Sequence, residues 1–250
     1  MKKNLLIIFI TLFSCIFHLH SVHANTYKRG KFEKTGNVIW DVKTKEKLIA
    51  ITFDDGPDPI YTPQILNTLK KYDAKATFYV IGAEAERFPD IIKREVLEGH
   101  ELGYHTYRHY FKDNFNKTKL KNELKHTSNV LKKISGYSPA TFRPIAGYYD
   151  EQIVNTAVES GYKVILWSWH QDTKDWKKPG IQTIVRNMVS DKRPGDIIIF
   201  HDAGGDRSQT VKALENILET LYKDGYRCVT VSEMLTRSDP KILDPSLILK

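Results

Sequence analysis

The strongest constraint on the fold is a regular alternation of short apolar runs with amphipathic stretches from residue 48 onward. The apolar runs are rich in β-branched and aromatic residues, and they predict strands at 48–53, 76–81, 101–105, 141–143, 163–167, 196–200 and 227–231. The amphipathic stretches predict helices at 62–72, 88–98, 117–134, 149–160, 181–190 and 208–224. This order favours an α/β fold in which a parallel sheet of about seven strands, covered by outer helices, closes or nearly closes into a barrel.

Residues 1–24 have the pattern of a secretory signal peptide. Lys2 and Lys3 form a positive start, an apolar run covers 5–17, and Val22-His23-Ala24 is a small-residue cleavage pattern. The apolar run is shorter than the roughly 20 residues that a membrane-spanning helix needs. We therefore expect cleavage near Ala24 and a protein that is secreted or associated with a bacterial cell wall, without stable membrane insertion. The alternative is a leader that is retained as an N-terminal anchor.

The rest of the chain is long enough for one large domain with a full core. We expect an N-terminal extension at 25–47, the barrel at 48–236 and a C-terminal tail at 237–250. Outside the leader, Cys228 is the single cysteine, so an intramolecular disulfide is excluded. The fold must therefore depend on packing and, in addition, on any metal ion that it binds.

The charge of the chain favours anionic surfaces such as cell-wall polymers as partners. The formal net charge is +8, and loss of the two leader lysines lowers it to +6. Nucleic acid is a poor fit, because the chain has no basic helix with interleaved aromatic residues.

Unusual polar residues cluster at the ends of the predicted strands. In a barrel of βα units the C-terminal ends of the strands form one face, so these separate segments are expected to converge there. The residues concerned are Asp54, Asp55, His105, His109, Arg143, Asp172, Asp175, Trp176, His201 and Asp202. A strand places neighbouring side chains on opposite faces, so Asp54 and Asp55 can share one site only where the regular strand ends at Gly56-Pro57.

The segment His105-Thr106-Tyr107-Arg108-His109 places two imidazoles four residues apart. If this segment forms a helical turn, both rings lie on one face and can bind one metal ion. An aspartate as third ligand would complete a site of two histidines and one carboxylate, which suits zinc, cobalt or iron.

Five ordered motifs resemble those of the polysaccharide deacetylases, the NodB-homology family of carbohydrate esterases (carbohydrate esterase family 4). The motifs are Thr52-Phe53-Asp54-Asp55-Gly56-Pro57, His105-Thr106-Tyr107-Arg108-His109, Arg143-Pro144, Asp175-Trp176 and Ile199-Phe200-His201-Asp202. The resemblance covers about residues 45–235. It implies a distorted (β/α) barrel, usually of seven strands, that removes acetyl groups from N-acetylglucosamine polymers with one divalent metal ion.

The resemblance also implies roles for individual residues. Asp55, His105 and His109 would bind the metal, for which we expect zinc, with cobalt or another transition metal as alternatives. Asp54 would be the general base, positioned by Arg143. The general acid would be His201, tuned by Asp175.

Further residues would contact the substrate. Trp176 and Ile199 would line the small pocket for the acetyl methyl group, and a backbone N–H at Ala146 would stabilise the oxyanion. The family pattern at the third motif is Arg-Pro-Pro-Tyr/Phe-Gly, whereas this chain has Arg143-Pro144-Ile145-Ala146-Gly147. The missing proline and aromatic put substrate preference in question, and Tyr148 is the nearest replacement for the aromatic wall. Tyr79, Trp167 and Trp169 are expected in the core.

These features predict a secreted, metal-dependent N-deacetylase of N-acetylglucosamine in peptidoglycan or chitin-like oligosaccharides, acting as a monomer on cell-wall polysaccharide or chito-oligosaccharide. Within the family, an O-acetyl xylan esterase or a muramic-acid-specific enzyme is an alternative. A further alternative is a catalytically impaired wall-binding module of the same fold. A facial-triad iron oxygenase fits less well, because such sites usually occur on antiparallel β folds.

Overall fold

The computed structural model of the protein describes residues 29–109 and 116–239. The predicted leader, 1–24, and residues 240–250 of the predicted tail lie outside the described residues. Contacts divide the chain into two compact units, Met1–Val38 and Ile39–Lys250. Within the described ranges, no helix combines the length and the hydrophobicity that crossing a bilayer requires.

A single sheet carries the functional end of the fold. Its strands are β1 (Val38–Ile39), β2 (Leu48–Asp54), β3 (Ala76–Val80), β4 (Glu101–Tyr104), β5 (Thr141–Phe142), β6 (Lys163–Ile165), β7 (Asp196–His201) and β8 (Arg227–Cys228). They lie in the order β1-β6-β5-β4-β3-β2-β7, and β8 pairs with the start of β2. Every pair from β6 through β2 to β7 is parallel, so the C-terminal strand ends share one face.

Helices follow the strands as the periodicity predicts. They are α1 (Tyr61–Lys71), α2 (Gly82–Arg87), α3 (Pro89–Leu97), α4 (Lys117–Ser135), α5 (Glu151–Glu159), α6 (Ile181–Val189), α7 (Ser208–Lys223) and α8 (Val231–Ser238), with short 3₁₀ turns at Ile145–Gly147 and Asp175–Lys177. The six predicted helices all form, with bounds within two residues of the prediction. The α/β class and the distorted (β/α) barrel with outer helices are therefore confirmed.

The structure adds α2 and α8 to the predicted helices, and α8 corrects a strand prediction. The strand expected at 227–231 ends at Cys228, and α8 begins at Val231. The Thr230 side chain caps α8 by accepting a hydrogen bond from the Glu233 N–H. This is the first half of a capping box, a threonine followed three residues later by a glutamate, and it was the signal for a helix start.

The inner face of the sheet is apolar at one end and polar at the other. Along β2, Leu48 and Ala50 pack with Ile197 of β7 and with Val231, Met234 and Leu235 of α8. Since alternate residues of a strand share a face, Thr52 and Asp54 continue this inner row toward the C-terminal end. The helix α8 therefore fills the N-terminal end of the barrel, and the opposite end is left for polar chemistry.

Irregular chain, rather than a regular strand pair, closes the barrel between β6 and β7. The Ser168 N–H donates to the Ile197 carbonyl (2.9 Å), and Asp172 forms an isolated parallel bridge with Ile199. Asp175, directly beyond this segment, is thereby held against the end of β7.

We expect the contact of α8 with the barrel interior to contribute strongly to stability. Leu235 is 1% exposed, so Leu235→Ala should lower the free energy of unfolding by about 2–5 kcal/mol, because it leaves a cavity among packed side chains. The matched control Leu97→Ala changes a side chain that is 85% exposed and should stay within about 0.5 kcal/mol of the wild type. Equilibrium urea denaturation measures both, and equal effects would contradict this packing.

Candidate functional site

The turn after β2 directs two successive carboxylates into one site. Asp54 is the last residue of β2 and is 3% exposed. Asp55 has φ of +78°, in the left-handed region, so the strand alternation stops there. As a result, both carboxylates lie near one imidazole: His105 Nε2 is 3.5 Å from Asp55 Oδ1 and 3.8 Å from Asp54 Oδ2.

Asp55, His105 and His109 form a compact cluster. One ligand atom from each of the three lies within 4.8 Å of the others. His109 Nε2 is 3.0 Å from Asp55 Oδ1, and the two imidazole ring centres are 5.6 Å apart. His105 is buried after β4, whereas His109 is exposed at the rim, so the cluster opens toward solvent.

A backbone contact fixes which nitrogen of His105 faces the cluster. His105 Nδ1 lies 2.8 Å from the Arg143 carbonyl oxygen. A carbonyl only accepts hydrogen bonds, so Nδ1 carries a proton and donates it to this contact, and Nε2 is the nitrogen that faces Asp55. This second contact is typical of metal-binding histidines, where it orients the ring and sets its tautomer.

A turn, and not a helix, brings His109 to the cluster. The helical turn considered for 105–109 does not form, because Thr106 and His109 have φ of +69° and +55°. Glu123 of α4 stabilises this turn by accepting hydrogen bonds from the N–H groups of Tyr107 (2.9 Å) and Arg108 (2.8 Å) through one oxygen, Oε2. The His109 N–H donates to Thr106 Oγ1 (3.1 Å).

These donors fit a divalent transition metal. Two imidazole nitrogens and one carboxylate oxygen leave coordination positions open to solvent, as catalytic sites require. Burial raises the pKa of Asp55, but hydrogen bonds and charge from His105 and His109 outweigh it and hold the pKa well below its usual range. Because the Asp55 carboxylate stays ionised beside two imidazoles, a cation can bind there in place of protons. Among the described residues, this is the one such group of three or more potential ligands.

Arg143 holds Asp54 from inside the barrel. Its guanidinium is fully buried and donates from Nη1 to Asp54 Oδ1 (2.8 Å) and to Thr52 Oγ1 (2.7 Å). Nε and Nη2 donate to the carbonyls of Ile165 and Leu166, and the Tyr79 ring lies 4.1 Å from the guanidinium carbon. One oxygen of Asp54 is thus fixed, and Oδ2 is left facing the cluster.

The half-buried His201 pairs with the buried Asp175. His201 Nδ1 is 2.8 Å from Asp175 Oδ1, and Asp175 Oδ2 accepts from the His201 N–H (2.9 Å) and from Thr210 Oγ1 (2.9 Å). Burial disfavours the imidazolium, but the Asp175 carboxylate, with Asp54 and Asp55 nearby, raises the pKa of His201 to about 9. The register of β2 and β7 pairs Asp54 directly with His201, so this imidazole stands beside the other carboxylates.

Two residues predicted to contact substrate lie next to this pair. Ile199 shares the inner face of β7 with His201 and is 5% exposed. Trp176 follows Asp175, donates its N–H to Asp175 Oδ1 (2.9 Å), and is 52% exposed. An apolar wall and an exposed indole therefore flank the imidazole.

The loop after Arg143 carries the other two residues that were predicted to contact substrate, Ala146 and Tyr148. Ala146 is exposed and has φ of +52°, a left-handed conformation that is costly for alanine. Its N–H has no acceptor in the described part of the chain, whereas those of Gly147 and Tyr148 bond to Pro144 and Ile145. Tyr148 is 37% exposed on the same loop.

Sequence reasoning missed several residues that support this site. The Thr52 hydroxyl accepts a hydrogen bond from Arg143 and donates one to the Ile198 carbonyl. The Thr210 hydroxyl donates to Asp175, and Glu123 stabilises the turn that carries His109. Asp202, one of the predicted strand-end residues, is buried against Gly56, and a Cβ added at Gly56 would clash with its carboxylate. Burial and the charges of Asp55 and Asp54 raise the pKa of Asp202 to about 7. The role of Thr52 could have been inferred from the sequence, because Thr52 stands two residues before Asp54 on the same strand face.

We expect Glu123 to act on cation affinity through the turn. Glu123→Ala removes the acceptor of two backbone N–H groups and should weaken Zn²⁺ or Co²⁺ binding by about tenfold or more, as loss of an outer contact typically does. Glu123→Gln keeps an acceptor oxygen and should stay close to the wild type. Competition against a chromophoric chelator measures the affinity, with exposed Glu219→Ala as control. Unchanged affinity in Glu123→Ala would contradict this role and show that the turn keeps its conformation without Glu123.

We expect Asp175 to set the protonation of His201 in the metal-free protein. The pKa of His201 should be about 9, and in Asp175→Asn it should fall toward the ordinary value of 6.5. Because the folded-state pKa is raised, the stability that this pair supplies is complete below pH 6.5 and is lost as the pH rises through 9. NMR titration of the imidazole checks the shift, with Asp172→Asn as control. A pKa near 9 in Asp175→Asn would contradict this assignment.

Comparison with known proteins agrees with this geometry. Residues 41–165 match the polysaccharide deacetylase family. A peptidoglycan-N-acetylglucosamine deacetylase of Bacillus cereus is 49% identical over 207 residues, which cover 83% of this chain and 97% of that protein.

Solved structures share the fold as well. The Bc1960 peptidoglycan N-acetylglucosamine deacetylase, crystallised with a naphthalenyl-N-oxidanyl-benzamide, superposes with a TM-score of 0.77 at 35% identity, covering 81% of this chain and 94% of that one. BA3943, a pseudoenzyme of carbohydrate esterase family 4 from Bacillus anthracis, superposes with a TM-score of 0.73 at 26% identity, covering 79% of this chain and 68% of that one. With the barrel, the match over half of the chain and a relative at 49% identity, this chain belongs to the polysaccharide deacetylase family of hydrolases.

Proposed function

We propose that this chain is a metal-dependent N-deacetylase of N-acetylglucosamine residues in peptidoglycan or a chitin-like oligosaccharide. The observation that carries the proposal is the placement of Asp54 and His201 side by side on β2 and β7, next to the Asp55–His105–His109 cluster. A base, an acid and a cation site at one opening are the parts that amide hydrolysis needs.

Amide hydrolysis needs help at both reactants, because an amide carbonyl is a weak electrophile and neutral water is a weak nucleophile. Asp55, His105 and His109 would hold a divalent cation, which would supply the Lewis acidity that polarises the carbonyl and lowers the pKa of water. Asp54 then takes the proton of the attacking water through Oδ2, since Oδ1 is held by Arg143. We propose zinc as the natural ion, on the basis of the two nitrogen donors and one oxygen donor.

His201 supplies the proton that the leaving amine requires. Its Nδ1 is engaged with Asp175, so Nε2 is the nitrogen that delivers a proton to the sugar nitrogen. A pKa of about 9 keeps the ring protonated at neutral pH, before the C–N bond breaks. Asp175, held in turn by Thr210, orients this donor and stabilises its charge.

The loop after Arg143 and the rim of β7 complete the acyl site. The Ala146 N–H, which lacks an acceptor within the described ranges, is suited to bind the developing oxyanion. Ile199 and Trp176 provide an apolar wall for the acetyl methyl group. Apolar contact with a methyl group favours acetyl over larger polar acyl groups.

The substrate and location are proposed on separate grounds. The relative at 49% identity is named for peptidoglycan N-acetylglucosamine, which favours that polymer over chitin or xylan. The signal-peptide pattern of residues 1–24 and the net charge of +8 favour action outside the cell on an anionic wall.

A second candidate is a wall-binding module that has lost activity. The altered loop Ile145-Ala146-Gly147 and the similarity to a family pseudoenzyme favour it. Against it stands the full set of cluster, base and acid described above, in contact geometry. Acetate release distinguishes the two candidates.

The direct test is acetate release from peptidoglycan, chito-oligomers and acetylated xylan, with and without a chelator. We expect release from the N-acetylglucosamine substrates, loss on chelation, and recovery with Zn²⁺ or Co²⁺. Asp54→Asn keeps an acceptor oxygen for Arg143 but loses the base, so kcat should fall about 10²–10⁴-fold in protein whose intact fold is confirmed by thermal unfolding. The control Asp73→Asn alters a carboxylate that is 97% exposed and should not change the rate.

Two results would contradict the proposal. Absence of acetate release from every substrate under any metal favours the wall-binding module. Full activity of Asp54→Asn removes Asp54 as the base.

A further inference from the structure

A groove with a volume of about 540 Å³ lies at the end of the barrel opposite the catalytic residues. It is lined by Asp41, Val42, Lys43, Thr44, Lys45, Trp169, His170, Arg193, Pro194 and Asp196. Asp196 begins β7 and His201 ends it, so at about 3.3 Å per residue the groove and the acid are about 16 Å apart. A molecule in this groove therefore does not contact Asp54 or His201.

Trp169 is the most conspicuous residue of the groove. It was expected in the core, and that expectation is wrong, because the side chain is 75% exposed. The turn that carries it is well held: the Gln171 N–H donates to the Ser168 carbonyl (2.7 Å), and the Ser168 N–H donates to Ile197 (2.9 Å). An indole that faces solvent from a fixed turn offers a flat, preorganised apolar surface.

His170 forms the wall beside this indole. Its ring stands nearly perpendicular to that of Trp169, at 5.9 Å, and its Nε2 is 3.2 Å from Asp196 Oδ1. His170 Nδ1 is buried and has no hydrogen-bond partner among residues 29–109 and 116–239. Because this nitrogen is buried, it lies behind the groove surface, and the ring supplies a fixed wall that Asp196 holds in place.

The rim of the groove is positively charged. Lys43 and Lys45 are exposed, and neither forms an ion pair within the described residues. Arg193 adds a third cation, paired at its outer end with Asp191 (2.8 Å). Two acids, Asp41 and Asp196, also line the groove, and Asp196 is engaged by His170 and by the Arg193 N–H (2.7 Å). Against these two acids stand Lys43, Lys45 and Arg193, so the lining keeps an excess of positive charge that favours an anionic ligand.

We propose that this groove is an accessory binding site for an anionic saccharide chain. The apolar C–H face of a sugar ring stacks on Trp169, the His170 ring forms the wall beside it, and Lys43 and Lys45 bind carboxylate or phosphate groups along the chain. The inference deepens the proposed function, because a long wall polymer can occupy the groove and the catalytic end together. Such a site raises the local concentration of scissile units without taking part in the reaction.

The test is a binding assay on the inactive Asp54→Asn protein, so that turnover does not alter the polymer. The probes are insoluble peptidoglycan sacculi, one batch intact and one stripped of phosphodiester-linked polymers. Trp169→Ala in this background should weaken binding about tenfold, as expected when an aromatic side chain that the bound ligand covers is removed. The control Tyr222→Ala removes an aromatic that is 74% exposed on α7, and it should bind as the parent does.

A charge-reversal variant tests the second part of the proposal. Lys43→Glu/Lys45→Glu should weaken binding and flatten its dependence on salt, because surface ion contacts are screened. In the otherwise wild-type enzyme, Trp169→Ala should raise KM for sacculi with little change in kcat. Thermal unfolding of each variant confirms that the fold is intact.

The outcomes separate this inference from the proposed function. Weaker binding of Trp169→Ala to both batches supports a carboxylate-bearing glycan, and an effect on the intact batch alone supports a phosphate polymer. Equal binding of Trp169→Ala, Tyr222→Ala and the parent overturns the accessory site. Failure of acetate release leaves this binding result untouched, because the assay uses an inactive protein.

Discussion

The contact on which the site depends is the buried ion pair of Arg143 and Asp54. A fully buried guanidinium is tolerated only where its donors and its charge are satisfied, and here a carboxylate, a hydroxyl and two carbonyls do so. These acceptors lie on β2, on β6 and directly after β6, so one side chain links segments on opposite sides of the barrel interior. Removing either partner would leave an uncompensated buried charge, a cost of about 3–5 kcal/mol.

The same residue also connects Asp54 to the Asp55–His105–His109 cluster. The Arg143 side chain holds Asp54, while its backbone carbonyl contacts Nδ1 of His105. The strand that precedes Arg143 thus positions the proposed base and a proposed metal ligand at once. Through this one residue after β5, the end of β2 and the segment after β4 are held together at the site.

Much of the fold could be predicted, because strands and helices leave distinct periodicities. The parallel arrangement of the strands followed from their alternation with helices. The convergence of Asp54, Arg143 and His201 followed from the fact that the C-terminal ends of parallel strands share one face. What failed depended on local backbone geometry. The left-handed residues Thr106 and His109 replace the expected helical turn, and no pattern of residue types announces them.

Other features depend on tertiary contacts between distant segments. Glu123 holds the His109 turn from a helix that begins beyond it, and spacing along the chain does not reveal such a contact. Trp169 reads as a core residue beside a strand, yet the chain bulges out where it bridges β6 to β7. Hydrophobicity alone does not tell a core indole from an exposed one when the strand ends early.

The barrel thus carries different chemistry at its two ends. The C-terminal end gathers carboxylates and imidazoles in an open cluster, and the other end presents an indole with lysines around it. The inner apolar layer between them, closed by α8, keeps the two regions apart. For the proposed deacetylase of a wall polymer, this division would separate the residues that hold the chain from those that cut its acyl bond.

The central claim is that Asp55, His105 and His109 hold one divalent cation beside Asp54 and His201. Anomalous diffraction at the zinc edge from crystals grown with Zn²⁺ tests it most directly. The account predicts one strong peak about 2.0–2.2 Å from an Asp55 carboxylate oxygen and from Nε2 of both histidines. A peak elsewhere, or a cation that contacts only one of the three, would contradict it.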